Sequence, residues 1–137
     1  MPATRVVLDA SAFIRGIGLP DPNDEAFGWI EAFHDRRVKP LAPDLLYPEV
    51  ANGLLVYVRA SRLAHDAAAG ILARLLRLRI QVFSLHDLVA PALDLAAARG
   101  LSVYDACYVT LAEQANVPLL TADGGAAAAA ADSILLG

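Results

Sequence analysis

Four acidic residues stand where an acid is chemically placed rather than merely solvated: Asp9, Glu49, Asp105 and Asp123. Asp9 closes the apolar run Arg5-Val6-Val7-Leu8, and Asp123 closes Pro118-Leu119-Leu120-Thr121-Ala122. Ligands in open parallel sheets bind outside the carboxyl ends of strands, so an acid at such an end is positioned for chemistry. The same position also suits a helix N-cap, the common structural use of aspartate there. Glu49 lies in the otherwise apolar or small run Leu45-Leu46-Tyr47-Pro48-Glu49-Val50-Ala51, with Asn52 and Gly53 on the same helical face. A carboxylate buried there would need a cation or hydrogen bonds. On the outer face of an amphipathic helix it would need neither. Asp105 follows Ser102 by three residues, the spacing of a capping box, and would lie at the positive end of a helix.

Taken together, the four carboxylates suit a hard divalent cation. Mg²⁺ takes oxygen ligands, keeps several of its waters and needs only one or two direct carboxylates. A metal-activated water attacking phosphorus is the chemistry such a site supports. His34, His65 and His86 have no metal-ligand spacing.

These residues must be held by alternating short strands and helices. Strands are expected at Arg5 to Leu8, Val38 to Ala42, Gln81 to Ser84, Pro118 to Thr121 and Ser133 to Leu136. Helices are expected from Ser11, over 24–36, over 44–59 with Pro48 in the first turn, over 65–79, and over 85–100. Two more should run from Ser102 to about Gln114 and over the alanine run 126–131. This alternation predicts a parallel α/β sheet covered on both faces, in a single domain spanning 1–137.

The chain has 137 residues, 57% hydrophobic, enough for a core without staples. Its one cysteine, Cys107, excludes an internal disulfide framework. No apolar segment reaches signal-peptide or membrane-helix character, so a soluble, cytoplasmic protein with no membrane association is expected. The formal net charge of −4 argues mildly against simple phosphate binding, but all 11 basic residues lie between Arg5 and Arg99. Arg59 with Arg62, and Arg74 with Arg77 and Arg79, form clusters that would meet RNA phosphates, an acidic partner or only solvent.

Four segments resemble the motifs of the PIN-domain nucleases, especially the VapC-type toxins of bacterial toxin–antitoxin pairs. They are Val7-Leu8-Asp9-Ala10-Ser11-Ala12, Pro48-Glu49-Val50-Ala51-Asn52, Ser102-Val103-Tyr104-Asp105-Ala106 and Leu119-Leu120-Thr121-Ala122-Asp123. They occur in order across essentially the whole chain. The resemblance implies a three-layer α/β/α sandwich around a mostly parallel five-stranded sheet. It implies an Mg²⁺- or Mn²⁺-dependent endoribonuclease with Asp9, Glu49, Asp105 and Asp123 as the catalytic and metal-holding acids. Ser11 and Thr121 carry over as supporting hydroxyls, and Asn52 as a residue orienting Glu49. Members of this kind cut RNA, form homodimers and are silenced by a small antitoxin. The sequence departs from the family after Asp123, where Gly124, Gly125 and six alanines replace the usual basic residue. That departure motivates a second reading, a catalytically weakened scaffold that binds RNA or protein. A phosphotransfer domain using Asp9 as nucleophile fits poorly: the second acid it wants is Ser11, and the only lysine is Lys39.

Overall fold

The computed structural model describes residues 4–137. Five parallel strands form one sheet: β1 (Arg5–Leu8), β2 (Lys39–Pro43), β3 (Gln81–Phe83), β4 (Leu119–Thr121) and β5 (Ser133–Leu135). Their order is β3-β2-β1-β4-β5. From β1 the chain builds outward to β2 and β3, then returns to the other side of β1 for β4 and β5. The order therefore reverses between β1 and β4, whose register pairs Val7 with Leu119 and Leu8 with Leu120. A crevice is expected outside the carboxyl ends of those two strands.

Seven helices cover the sheet: α1 (Ala10–Gly16), α2 (Asp24–His34), α3 (Leu46–Arg59), α4 (His65–Arg77), α5 (Leu85–Arg99), α6 (Val103–Ala115) and α7 (Gly124–Ala129). Strand alternation sorts them into two layers. Val6, Leu8, Ala42 and Leu120 pack with Phe13, Trp29, Ile30, Phe33, Leu46, Val50, Leu54 and Leu75 of α1 to α4. Val7, Leu41 and Leu119 pack on the opposite face with Leu88, Tyr108, Val109, Leu111 and Ala126 of α5 to α7. The result is the expected α/β/α sandwich with a wholly parallel sheet.

Local chemistry sets most boundaries. Asn23 caps α2 by accepting from the Ala26 N–H at 2.9 Å, with Asp24 and Glu25 at the positive end. α2 closes by the Arg37 N–H bonding to Ala32 O and the Arg36 N–H to Phe33 O, with Arg36 at φ 59°. This is the Schellman pattern, with arginine where glycine is usual. Pro48 falls in the first turn of α3, where its missing N–H has no intrahelical partner to lose.

Expected boundaries shift at several ends: α2 stops at His34 rather than Arg36, α3 begins at Leu46 rather than Asp44, and three further shifts have a local cause. α4 stops at Arg77 rather than Arg79, because Leu78 turns extended (φ −65°, ψ 142°) and half-buried Leu78 and Ile80 lead the chain into β3. α7 begins at Gly124, two residues before the alanines, because Asp123 caps it. α1 begins at Ala10 for the same reason, with Asp9 as its cap.

Candidate active site

The reversal point is where the acids gather. Asp9 follows β1 and Asp123 follows β4. Glu49 comes from the first turn of α3, and Asp105 from the first turn of α6. Asp9, Ala10, Ser11, Ile14, Glu49, Asp105, Tyr108 and Asp123 line one open cleft of about 270 Å³. At about 30 Å³ per molecule of liquid water, it has room for a hydrated ion.

Close helix packing brings Glu49 to the strand ends. A side-chain carbon added at Gly53 on α3 would lie 2.5 Å from Ile14 Cδ1 on α1, so glycine lets the two helices approach.

Asp9 is 7% exposed. Its Oδ1 accepts from Ser11 Oγ at 2.7 Å and from the Ala12 N–H at 2.9 Å. Ser11 Oγ also accepts from the Ala122 N–H at 2.9 Å and lies 3.2 Å from Thr121 Oγ1. A serine hydroxyl has one proton, and here it goes to Asp9, which leaves the Thr121 proton to point at Ser11 Oγ or at Asp9 itself. Thr121 Oγ1 in turn accepts from the Asp123 N–H at 3.0 Å. One hydrogen-bonded network thus joins Asp123, Thr121, Ser11 and Asp9, tying the ends of β4 and β1 together. Ser11 and Thr121 are thus both members of this network.

Glu49 is held differently from expectation. Among the described residues its hydrogen bond comes from the Tyr108 hydroxyl, 2.6 Å from Oε1, and not from Asn52. Asn52 is exposed and shares a neighbouring groove with Glu49, Leu45, Pro48, Gly53 and Tyr104. Tyr108 is absent from the site residues expected from the sequence, although it stands three residues after Asp105, one helical turn along. Arg15, on α1, forms no ion pair with any of the acids among the described residues. It bonds the carbonyl oxygens of Gly137, Leu19 and Asp21.

Asp105 is half-buried, and the cap expected beside it forms in one direction: its N–H donates to Ser102 Oγ at 3.1 Å. Asp123 is exposed, and its Oδ1 accepts from the Gly125 and Ala126 N–H groups at 2.9 and 3.4 Å. Asp9, Glu49 and Asp123 thus share a pattern. The geometrically well-formed hydrogen bonds gather on one carboxylate oxygen, Oδ1 of Asp9 and of Asp123 and Oε1 of Glu49.

The electrostatics are those of uncompensated negative charge. Burial pushes the Asp9 pKa up to about 6, with the Asp123 charge adding to it. The Thr121 hydroxyl, the Ala12 N–H and the Ser11 hydroxyl pull against that rise. Burial also raises Glu49, opposed by the Tyr108 bond and reinforced by Asp105. Burial raises Asp105, with Asp123 adding to it and Ser102 opposing. The repulsions run in series from Asp9 to Asp123 to Asp105 to Glu49. Among the described residues no arginine, lysine or histidine forms an ion pair with any of the four.

This donor set fits Mg²⁺ or Mn²⁺. Every polar side-chain atom lining the cleft is an oxygen, which hard cations prefer. Among the described residues no three acids, histidines or cysteines form a closed ligand group.

The PIN-domain profile matches residues 6–132, nearly the whole chain and all four acids. The chain belongs to the PIN-domain family. It is 34% identical over 125 residues to Ribonuclease VapC3 of Pyrobaculum aerophilum, covering 87% of this chain and 89% of that protein. The crystal structure of PAE2754 from Pyrobaculum aerophilum superposes with a TM-score of 0.72 at 25% identity, over 98% of this chain and 90% of that one. A toxin–antitoxin complex from Klebsiella pneumoniae superposes with a TM-score of 0.62 at 17% identity, over 94% and 95%. The sandwich inferred from strand and helix alternation is thus the fold of this PIN-domain chain and its relatives.

Proposed function

We propose that this chain is a divalent-metal-dependent endoribonuclease, and the toxin of a VapBC-type toxin–antitoxin pair. The observation that carries the reading is one cleft lined by Asp9, Glu49, Asp105 and Asp123, each from a different element, with no paired cation among the described residues. Such a site is electrostatically unfavourable until something positive enters it. The identity with Ribonuclease VapC3 supports RNA as the substrate.

Asp9, Glu49, Asp105 and Asp123 would hold Mg²⁺ or Mn²⁺ directly or through intervening waters. When bound, the ion would offset carboxylate and phosphate charge and lower the pKa of an attacking water. The chain's own contribution is positioning. Ser11 and the Ala12 N–H fix Asp9 by Oδ1, Tyr108 fixes Glu49 by Oε1, and the α7 N–H groups fix Asp123 by Oδ1. A carboxylate anchored at one oxygen loses little further freedom on binding, the advantage of a preorganised site. Asp9, with its pKa near 6, must release its proton when the ion binds, so loading weakens as pH falls through 6.

The toxin role carries with it a small antitoxin as partner and a homodimer as assembly, and places the protein in the cytoplasm. The Klebsiella toxin–antitoxin complex supports the antitoxin. Among the described residues no helix is long and apolar enough to cross a membrane. Exposed Val56 on α3, and Val89 and Leu93 on α5, supply apolar surface for such contacts.

The test is cleavage of an RNA pool by purified protein with Mg²⁺, with Mn²⁺ and with chelator. Cleavage confined to the metal-containing reactions, and lost in Asp9→Asn, is expected. Cleavage that persists in chelator would refute the metal-dependent reading. Metal binding with no cleavage would return the chain to the scaffold reading.

A further inference from the structure

The amino end of the sheet, opposite the acid cleft, carries the reverse charge. Arg36, at the end of α2, Lys39, opening β2, and Arg79, leading into β3, line a pocket of about 240 Å³ with Phe33, Val38 and Pro40. Arg5 is the register partner of Lys39 on the adjacent strand, and Arg37 is the residue after Arg36. Five of the 11 basic residues thus belong to one end of the fold.

Of the six cations elsewhere in the chain, Arg59, Arg74 and Arg77 also form no ion pair or side-chain hydrogen bond among the described residues, and the other three have partners. Arg99 pairs with Glu113, Arg62 lies 5.5 Å over the Tyr57 ring, and Arg15 bonds three carbonyls. Even Arg37, at the edge of the pocket, pairs with Asp35 at 3.3 Å. Among the described residues Arg36, Lys39 and Arg79 form no ion pair or side-chain hydrogen bond. The ordinary account of cations at helix ends, attraction to the helix dipole, covers Arg36 and leaves out Lys39 on a strand. It also leaves out the backbone of Arg36. At φ 59° that residue occupies a conformation that favours glycine, yet a long cationic side chain stands there.

We propose that this pocket is an anchor for RNA phosphates, remote from the cutting site. The proposal rests on the endoribonuclease reading, because a cleft of four acids repels the polyanion it is to cut. Affinity must then come from cations placed elsewhere, and phosphate contacts of this kind position a nucleic acid without reading its sequence. Three unpaired cations converging on one concavity, beside an apolar wall of Phe33 and Pro40, are built to hold a phosphate and the sugar next to it. A structured RNA long enough to pass from one end of the sheet to the other would engage both sites. A very short substrate would reach only the acids.

The test compares the full-length protein with the triple variant Arg36→Gln, Lys39→Gln, Arg79→Gln. Binding of a fluorescein-labelled RNA hairpin is followed by anisotropy across a salt series, in chelator so that nothing is cut. The variant should bind about tenfold or more weakly, and the slope of log K against log salt should fall by about 2, near 0.7 for each lost contact. In Mg²⁺ its KM for the hairpin should rise while kcat holds, and its cleavage of a dinucleotide should match wild type. The charge-keeping variant Arg36→Lys, Arg79→Lys should retain most of the hairpin affinity, separating charge from any packing role. All three positions are exposed, and an unchanged melting temperature shows that the variant is folded. An unchanged affinity and salt slope would overturn the proposal. So would loss of binding to a labelled polyglutamate with hairpin binding intact, which would assign the pocket to an acidic protein. Because binding is read in chelator, failure of the anchor remains distinct from failure of the nuclease reading.

Discussion

Asp9 and Asp123 occupy equivalent places. Each follows one of the two neighbouring strands at the reversal point, each caps the next helix, and each lines the same cleft. Their surroundings differ. Asp9 is 7% exposed, beneath a helix whose Phe13 and Ala12 are buried in the main core. Asp123 is exposed, and its helix buries only Ala126. A side-chain hydroxyl from Ser11 serves Asp9, whereas only backbone N–H groups serve Asp123. The same topological position therefore yields two kinds of acid. Asp9 is a fixed, buried charge that gains most from a cation, and Asp123 is a solvated one that can adjust.

The widest separation between the two should appear in Asp9→Asn. Asparagine keeps the cap and the Oδ1 contacts but removes the charge. Metal-dependent cleavage should fall about a thousandfold or more, about 4 kcal/mol of lost transition-state stabilisation. The metal-free variant should nonetheless melt higher than wild type at pH 7, because the buried charge is gone. Initial rates in Mg²⁺ and thermal melts in chelator measure the two effects. A variant both inactive and less stable would mean that Asp9 is structural first.

The pH dependence of stability should carry the same mark. The Asp9 pKa is raised from 3.8 to about 6 by burial. Between those values the unfolded chain has released the proton while the folded chain still binds it, so stability falls as pH rises through this window. Below it both states are protonated and nothing is lost. Above it the full difference, about 3 kcal/mol, is in force. Denaturant melts of the metal-free protein from about pH 4 to 7, compared with Asp9→Asn, isolate this contribution. A saturating divalent ion should remove the difference. Equal pH profiles for the two proteins would contradict a buried, uncompensated Asp9.

Asp123→Asn should be milder. The cap persists, and an exposed acid contributes less to holding an ion than a buried one, so a loss of about ten- to thirtyfold, roughly 1.4 to 2 kcal/mol, is expected. Raising Mg²⁺ should recover part of it. A loss as deep and as metal-insensitive as that of Asp9→Asn would erase the distinction.

Much of this architecture is legible in the order of the residues. Alternating apolar strands and helices imply the sandwich, because buried parallel strands such as Val6-Val7-Leu8 read as continuous apolar runs. The four acids are recognisable because strand ends and first helical turns are set by local sequence. Two features are not legible in this way. The partner of Glu49 is Tyr108, 59 positions away, and only the meeting of α3 and α6, from opposite layers, at the carboxyl end of the sheet brings it there. The pocket of Arg36, Lys39 and Arg79 joins a helix end and two strand starts. Along the chain Arg79 groups with Arg74 and Arg77, because nothing local announces that the helix stops at Arg77 and turns Arg79 toward the sheet.

The finest distinction concerns what makes Asp123 the looser acid. One cause is exposure, and the other is the glycine pair that starts its helix, since glycine in a helix costs about 0.5 to 1 kcal/mol relative to alanine. Gly124→Ala separates them. No atom lies within 4 Å of the added carbon, and Gly124 has no left-handed backbone to lose. The substitution should raise stability by a few tenths to about 1 kcal/mol through helix propensity and a more restricted unfolded chain. If a weakly formed α7 is what loosens Asp123, the Mg²⁺ concentration for half-maximal cleavage should drop about two- to threefold with kcat little changed, as less ordering remains for the ion to impose. If exposure alone is responsible, the melting temperature should rise and the metal dependence stay where it was. Burial, and not a better-formed helix, would then be what separates Asp9 from Asp123.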